Sequence, residues 1–198
     1  MADLLRSLSL PITSFLVKMS APLLSTPSAL PPIRRIVTGN DSAGYGTVKK
    51  DTTISPKPAT GPSSEGLSGG VLWTTESVPS KDANDDSVDG ALRSISGQGL
   101  VMRNGTNLRF TDLASGASSP MHRTSSIDYN ILISGKLILI LDDGTEILIE
   151  NPGDTVVQRG NMHAWRNPGP GVARWVSVLV DAEPAAVNGK ILEEAWLA

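Results

Sequence analysis

The stretch Gly116-Ala-Ser-Ser-Pro-Met-His122-Arg-Thr124-Ser-Ser-Ile-Asp128-Tyr129-Asn-Ile-Leu-Ile-Ser-Gly135 decides how this chain is read. A turn marked by glycine and proline leads into a histidine. An apolar, strand-like run follows and closes at a second glycine. About forty residues after the first histidine the theme returns as Gly153-Asp-Thr-Val-Val-Gln-Arg-Gly160-Asn-Met-His163-Ala-Trp165-Arg166-Asn167. His122 and His163 are the two histidines of the chain, and each follows a turn. In a barrel, residues just after such turns can project into the mouth, where ligand cavities form.

The surrounding sequence supports a β architecture. Ile33–Gly39, Val71–Thr74, Leu100–Arg103, Leu108–Asp112, Lys136–Leu141, Glu146–Glu150, Thr155–Gln158 and Arg174–Val180 read as short strands. Asn104-Gly105 and Asp142-Asp143-Gly144-Thr145 read as hairpin turns between them, because Asn, Asp and Gly tolerate positive φ. Short strands at regular spacing with turn residues between them predict an antiparallel sandwich or barrel. Residues 49–70, rich in Pro, Gly, Ser and Thr, are predicted to be a loop, as is the acidic segment 79–90. The tail 185–197 is predicted to hold one short helix, with Gly189 as its weak point.

Composition narrows the function. The chain has 198 residues, the size of one domain with tails. A formal net charge of −3 argues against a nucleic-acid partner. No apolar run is long enough to span a membrane, and a cytoplasmic location is expected. There are no cysteines, so disulfide frameworks, thiolate metal sites and cysteine nucleophiles are excluded. Residues 1–32 stand apart: Leu4, Leu5, Leu8, Phe15 and Leu16 are apolar, and Pro11, Pro22, Pro27, Pro31 and Pro32 forbid a long helix. They are expected to form an arm lying over the body or over a partner subunit in a homodimer.

The spacing Gly116-x5-His122-x-Thr124-x3-Asp128-x6-Gly135 resembles the first motif of the cupins, Gly-x5-His-x-His-x3,4-Glu-x6-Gly. Gly153 to Asn167 resembles the second motif, one residue shorter between its glycines and without its usual proline. Together the motifs cover about a quarter of the chain. The resemblance implies an all-β double-stranded β-helix, or jelly-roll barrel, over residues 33–184. The arm 1–32 would precede it, and a C-terminal segment, 185–198, would follow with the short helix. It is similar to small single-domain cupins found in microbial and fungal secondary metabolism.

Metal-dependent cupins use two His and one Glu from the first motif and one His from the second. Those positions here are His122, Thr124, Asp128 and His163. Thr is a poor ligand, and Asp is one methylene shorter than Glu. The adopted expectation is therefore a pocket without a cofactor. The alternative is a three-ligand site of His122, Asp128 and His163 holding Fe, Mn, Ni or Zn. The resemblance implies a tailoring enzyme of lyase or isomerase type: dehydration, decarboxylation or cyclisation of a polyketide-like or aromatic small molecule. One imidazole would act as general base and the other as general acid or oxyanion donor, with Asp128 orienting them. Thr124, Arg109, Tyr129, Trp165 and Arg166 are candidate substrate-binding residues. The alternatives are a metal-dependent dioxygenase or oxidoreductase, and a ligand-binding cupin without catalysis.

Overall fold

A computed structural model describes residues 30–60 and 64–197. The apolar positions Leu4 to Leu16 of the expected arm lie outside the described residues. Strands run in the order β1 Ile33–Asn40, β2 Gly46–Ile54, β3 Lys57–Pro58, β4 Leu67–Thr75, β5 Thr106–Leu113, β6 Met121–Arg123, β7 Ser126–Ser134, β8 Leu137–Leu141, β9 Glu146–Ile149, β10 Thr155–Arg159, β11 His163–Arg166, β12 Ala173–Asp181, β13 Ala186–Val187, β14 Lys190–Ile191 and β15 Ala195–Leu197. Two short 3-10 turns, Asp82–Asn84 and Gly90–Leu92, lie between β4 and β5. Among the described residues, no helix is long and apolar enough to cross a membrane.

Two sheets make the barrel. One has six strands in the order β10-β7-β12-β5-β4-β3, the other five in the order β15-β6-β11-β8-β9. Neighbours within each are antiparallel. Side chains alternate along each strand, so every second residue faces inward. Along β7 the inward positions are Ser126, Asp128, Asn130 and Leu132, all buried. They pass from polar to apolar. At the apolar end Leu113, Leu132 and Trp175 from the six-stranded sheet pack with Leu137, Leu139 and Trp165 from the other. Truncating one of these leucines to alanine would cost about 2–5 kcal/mol. At the polar end the sheets part and leave a cavity.

The β1–β2 hairpin is a separate two-stranded sheet. Its Arg35 forms a bidentate pair with Asp89, and Ile54 packs close to Gly70 and Phe110 of the six-stranded sheet.

Four expectations change. Residues 49–70 are not one loop: Gly46–Ile54 is a full strand, because its threonines and lysines pair with β1 while standing largely in solvent. The acidic segment 79–90 is exposed only in part: Asp82 binds Arg93, and Asp89 binds Arg35 and Lys50, so these two acids hold the connection against the barrel. The C-terminal tail carries no helix. Asn188 (φ 52°) and Gly189 (φ 76°) form a two-residue turn between β13 and β14, and β15 then joins the five-stranded sheet. Asn104-Gly105 does turn the chain, with Asn104 at φ 62°. However, Leu100–Arg103 is not a strand, because β4 and β12 already occupy both edges of β5.

Candidate active site

The cavity has a volume of about 640 Å³, within the range that holds a small molecule. Its five-stranded wall is built from one row of register partners. Trp196 of β15 lies opposite His122 of β6, His122 opposite His163 of β11, and His163 opposite Leu141 of β8. Directly opposed residues share a face, so two imidazoles that are distant in sequence become neighbours. Their ring centroids are 4.3 Å apart at 52°. The Trp196 indole stacks on His122 at 4.6 Å and 9°. Glu194, paired with Arg103 at 2.8 Å and accepting from the Ser125 amide at 3.3 Å, ties β15 down.

Both rings are fixed by the turns that precede them. Nδ1 of His122 lies 2.9 Å from the Pro120 carbonyl, and Nδ1 of His163 lies 3.1 Å from the Asn161 carbonyl. A carbonyl can only accept, so each Nδ1 carries the proton and each Nε2 keeps its lone pair. Nε2 of neither ring is hydrogen-bonded to a described residue. Burial, and after it the adjacent His122, push the pKa of His163 down to about 3, against the opposing Asn161 carbonyl. His122 is lowered by burial first and also by the nearby Arg109 cation, against the opposing Pro120 carbonyl. Near neutral pH both imidazoles are therefore uncharged bases.

The opposite wall comes from β7, β12 and β5. Asp128, 6% exposed, faces the cavity from β7. Burial lifts its pKa to about 6, against the lowering effect of the Ser126 hydroxyl. Ser126 donates to Asp128 at 2.6 Å, so its proton is committed. The Thr124–Ser126 contact at 2.9 Å must then run from Thr124 to Ser126. Thr124 is thus the outer member of a hydroxyl relay ending on the carboxyl. Asn130 accepts from Ser177 at 2.6 Å and donates to Gln158 at 2.9 Å. Arg109 projects inward from β5 and donates to the Gly99 carbonyl at 3.3 Å. Burial lowers its pKa, the direction expected of a cation short of compensation.

Of the residues singled out in the sequence, His122, His163, Asp128, Thr124, Arg109 and Trp165 line the cavity. Trp165, two residues after His163, packs edge-on to it at 6.2 Å and against Trp175 at 5.7 Å. Tyr129 and Arg166 do not line it. Tyr129 follows the inward Asp128 and stands 43% exposed on the outside. Arg166 follows the inward Trp165 and pairs with Glu146 at the surface. Strand alternation forbids adjacent residues from sharing a face. Asp128 does not orient either ring: it accepts from Ser126, and the backbone carbonyls do the orienting. Trp196 lines the cavity and Ser126 bonds the Asp128 carboxyl, although neither is a motif position.

A resident ion would need a third donor beside the two imidazoles. Among the described residues, no three His, Cys, Asp or Glu side chains are grouped to hold one. Thr124 and Asp128 are both engaged with Ser126.

No family model matches the chain. It is 32% identical over 169 residues to the cupin-domain-containing oxidoreductase fogC of Aspergillus ruber, covering 84% of this chain and 81% of that protein. It is 35% identical over 184 residues to the cupin-domain-containing oxidoreductase virC of Hypocrea virens, covering 90% and 92%. Among solved structures, the polyketide cyclase RemF of Streptomyces resistomycificus is similar with a TM-score of 0.44 and 17% identity, covering 63% of this chain and 72% of that one. With two near-full-length relatives above 30% identity and both histidine motifs folded onto one cavity wall, the chain belongs to the cupins.

Proposed function

We propose that this cupin is a tailoring enzyme of secondary metabolism that moves protons on a small organic molecule. The observation that carries this reading is the geometry of the cavity: the paired imidazoles of His122 and His163, each held through Nδ1, line one wall, and the buried Asp128 carboxyl lines the opposite one. His163 stays neutral to about pH 3, whereas Asp128 holds its proton to about pH 6. Titratable groups pushed apart in this way suit a base and an acid working together. A neutral Nε2 takes a proton from a carbon next to a carbonyl. Reprotonation at another carbon completes an isomerisation. Alternatively, the Asp128 carboxyl gives its proton to a departing hydroxyl, and water leaves as a double bond forms. The indole of Trp196 covers His122 and shields the imidazole from bulk water.

A second reading, oxidoreductase chemistry, is favoured by its relatives fogC and virC, which are named oxidoreductases. The two readings differ in atom balance. Disrupting the gene in its host should accumulate a precursor. Under the acid–base reading that precursor differs from the product by nothing, by water or by carbon dioxide. A difference of two hydrogens or of oxygen would establish the second reading. Purified protein given the accumulated compound in D2O should place deuterium on the product carbon, and His122→Ala should lower turnover about 100-fold or more. Undiminished turnover in that variant would remove the first reading.

A further inference from the structure

We propose that Arg109 is the anion anchor of the cavity and that the molecule converted there carries a carboxylate. This deepens the acid–base reading and rests on it. The argument begins with the row that holds Arg109. Ser177 of β12 is its register partner on one side and Val71 of β4 on the other. Neither supplies a negative charge. Asp128 lies two strands away, on β7, a separation of about 10 Å in the hydrogen-bonding direction. Asp112, on the same strand as Arg109, points the other way and is taken by Arg174 at 2.5 and 2.6 Å. Arg109 therefore has no ion-pair partner among the described residues.

A guanidinium has five N–H donors in a planar fork. The Gly99 carbonyl takes one of them, at NH1. The remaining nitrogens are not among the buried, unpartnered atoms of the protein, so they reach the open space of the cavity. A lone, largely buried cation with a free fork fits a planar monoanion that it can grip with two parallel bonds. A phosphate dianion would call for a second buried cation, and the other cation lining the cavity, Lys57, is exposed. The indoles of Trp165, Trp175 and Trp196 line the same cavity and favour an apolar or aromatic body for the rest of the molecule. The Arg109 charge is felt by His122, so a carboxylate held there would lie close to the base.

The purely structural role, holding the 97–100 loop through Gly99, makes a different forecast. Benzoate and its uncharged isostere benzamide are the probes, read by quenching of tryptophan fluorescence. The wild-type protein is expected to bind benzoate about tenfold or more tighter than benzamide. Arg109→Gln should bring that ratio close to one without lowering Tm. Arg109→Lys keeps the charge but loses the planar fork, so its ratio should fall in between; it carries the test if Arg109→Gln does not fold. A wild-type protein that fails to separate the two probes, including one that binds neither, overturns the anchor. So does a benzoate preference that survives in Arg109→Gln. His163→Gln should keep the preference while losing turnover. The anchor and the acid–base reading therefore fail by different measurements.

Discussion

Arg174 and Arg109 stand on neighbouring strands of one sheet and face opposite ways. Arg174, on β12, looks outward. It is gripped by Asp112 with two bonds of 2.5 and 2.6 Å, donates to the Pro31 carbonyl at 2.7 Å and lies 5.0 Å over the Phe110 ring. Arg109, on β5, looks inward and has one bond to a carbonyl. Burying a charge is costly unless it is paired. The outer face meets that requirement in full, as a structural site should. The inner face leaves it unmet, as a site waiting for a ligand should. The same contrast separates the carboxylates. Asp112 has its cation, whereas Asp128 has one hydroxyl, that of Ser126, and a raised pKa.

Removing the compensating charge on the outer face should have the largest effect. Asp112→Ala leaves Arg174 buried and unpaired and is expected to cost about 3–5 kcal/mol of stability. Chemical denaturation measures it. Arg109→Gln, in the same assay, should leave stability unchanged or raise it. Equal losses in the two variants would erase the distinction between the faces.

Asp128→Asn should do the opposite of Asp112→Ala. The unfolded chain releases this proton near pH 3.8 and the folded chain near pH 6, so the folded form binds more protons in between. Stability contributed by this residue therefore falls as pH rises through that window and stays low above it. A shift of that size corresponds to about 1–3 kcal/mol. Asp128→Asn is expected to gain roughly that much above pH 6, to lose the gain by about pH 4, and to lower turnover. Denaturation curves at pH 4 and pH 7.5 show whether the gain follows pH. His163 runs the other way. Its depressed pKa makes the folded chain bind fewer protons than the unfolded one between about 3 and 6.5, so its contribution is lost as pH falls through that range.

The smallest effect is expected at the strap. Trp196→Ala removes one stacked ring from a half-exposed edge strand and should cost about 1 kcal/mol. The His122 pKa should rise toward its ordinary value as water reaches the ring, which an NMR titration would show. An unchanged His122 would mean that the indole does not shield it.

Much of the barrel could be read from short-range signals. The Asp143-Gly144 hairpin and the two histidine turns are local chemistry, and they are where the sequence places them. What failed was long-range or periodic. Tyr129 and Arg166 were grouped with Asp128 and Trp165, although neighbours on a strand face opposite sides. Lys49 to Ile54 resembles a loop by composition and becomes a strand because β1 offers it an edge. Asn188-Gly189 carries the same turn signal as Asn104-Gly105, but a helical reading of the tail hid it. That error also hid Trp196, which reaches His122 only through a pairing across more than seventy residues.

The central claim is that two neutral imidazoles offer their Nε2 lone pairs to one cavity. Nitrogen-15 NMR of the histidine rings, followed from pH 8 to pH 4, tests it most directly. Both rings should show the tautomer protonated at Nδ1. His163 should stay about nine-tenths neutral or more down to pH 4, and His122 should titrate below 6.5. Protonation at Nε2, or two ordinary titrations centred near 6.5, would contradict the account.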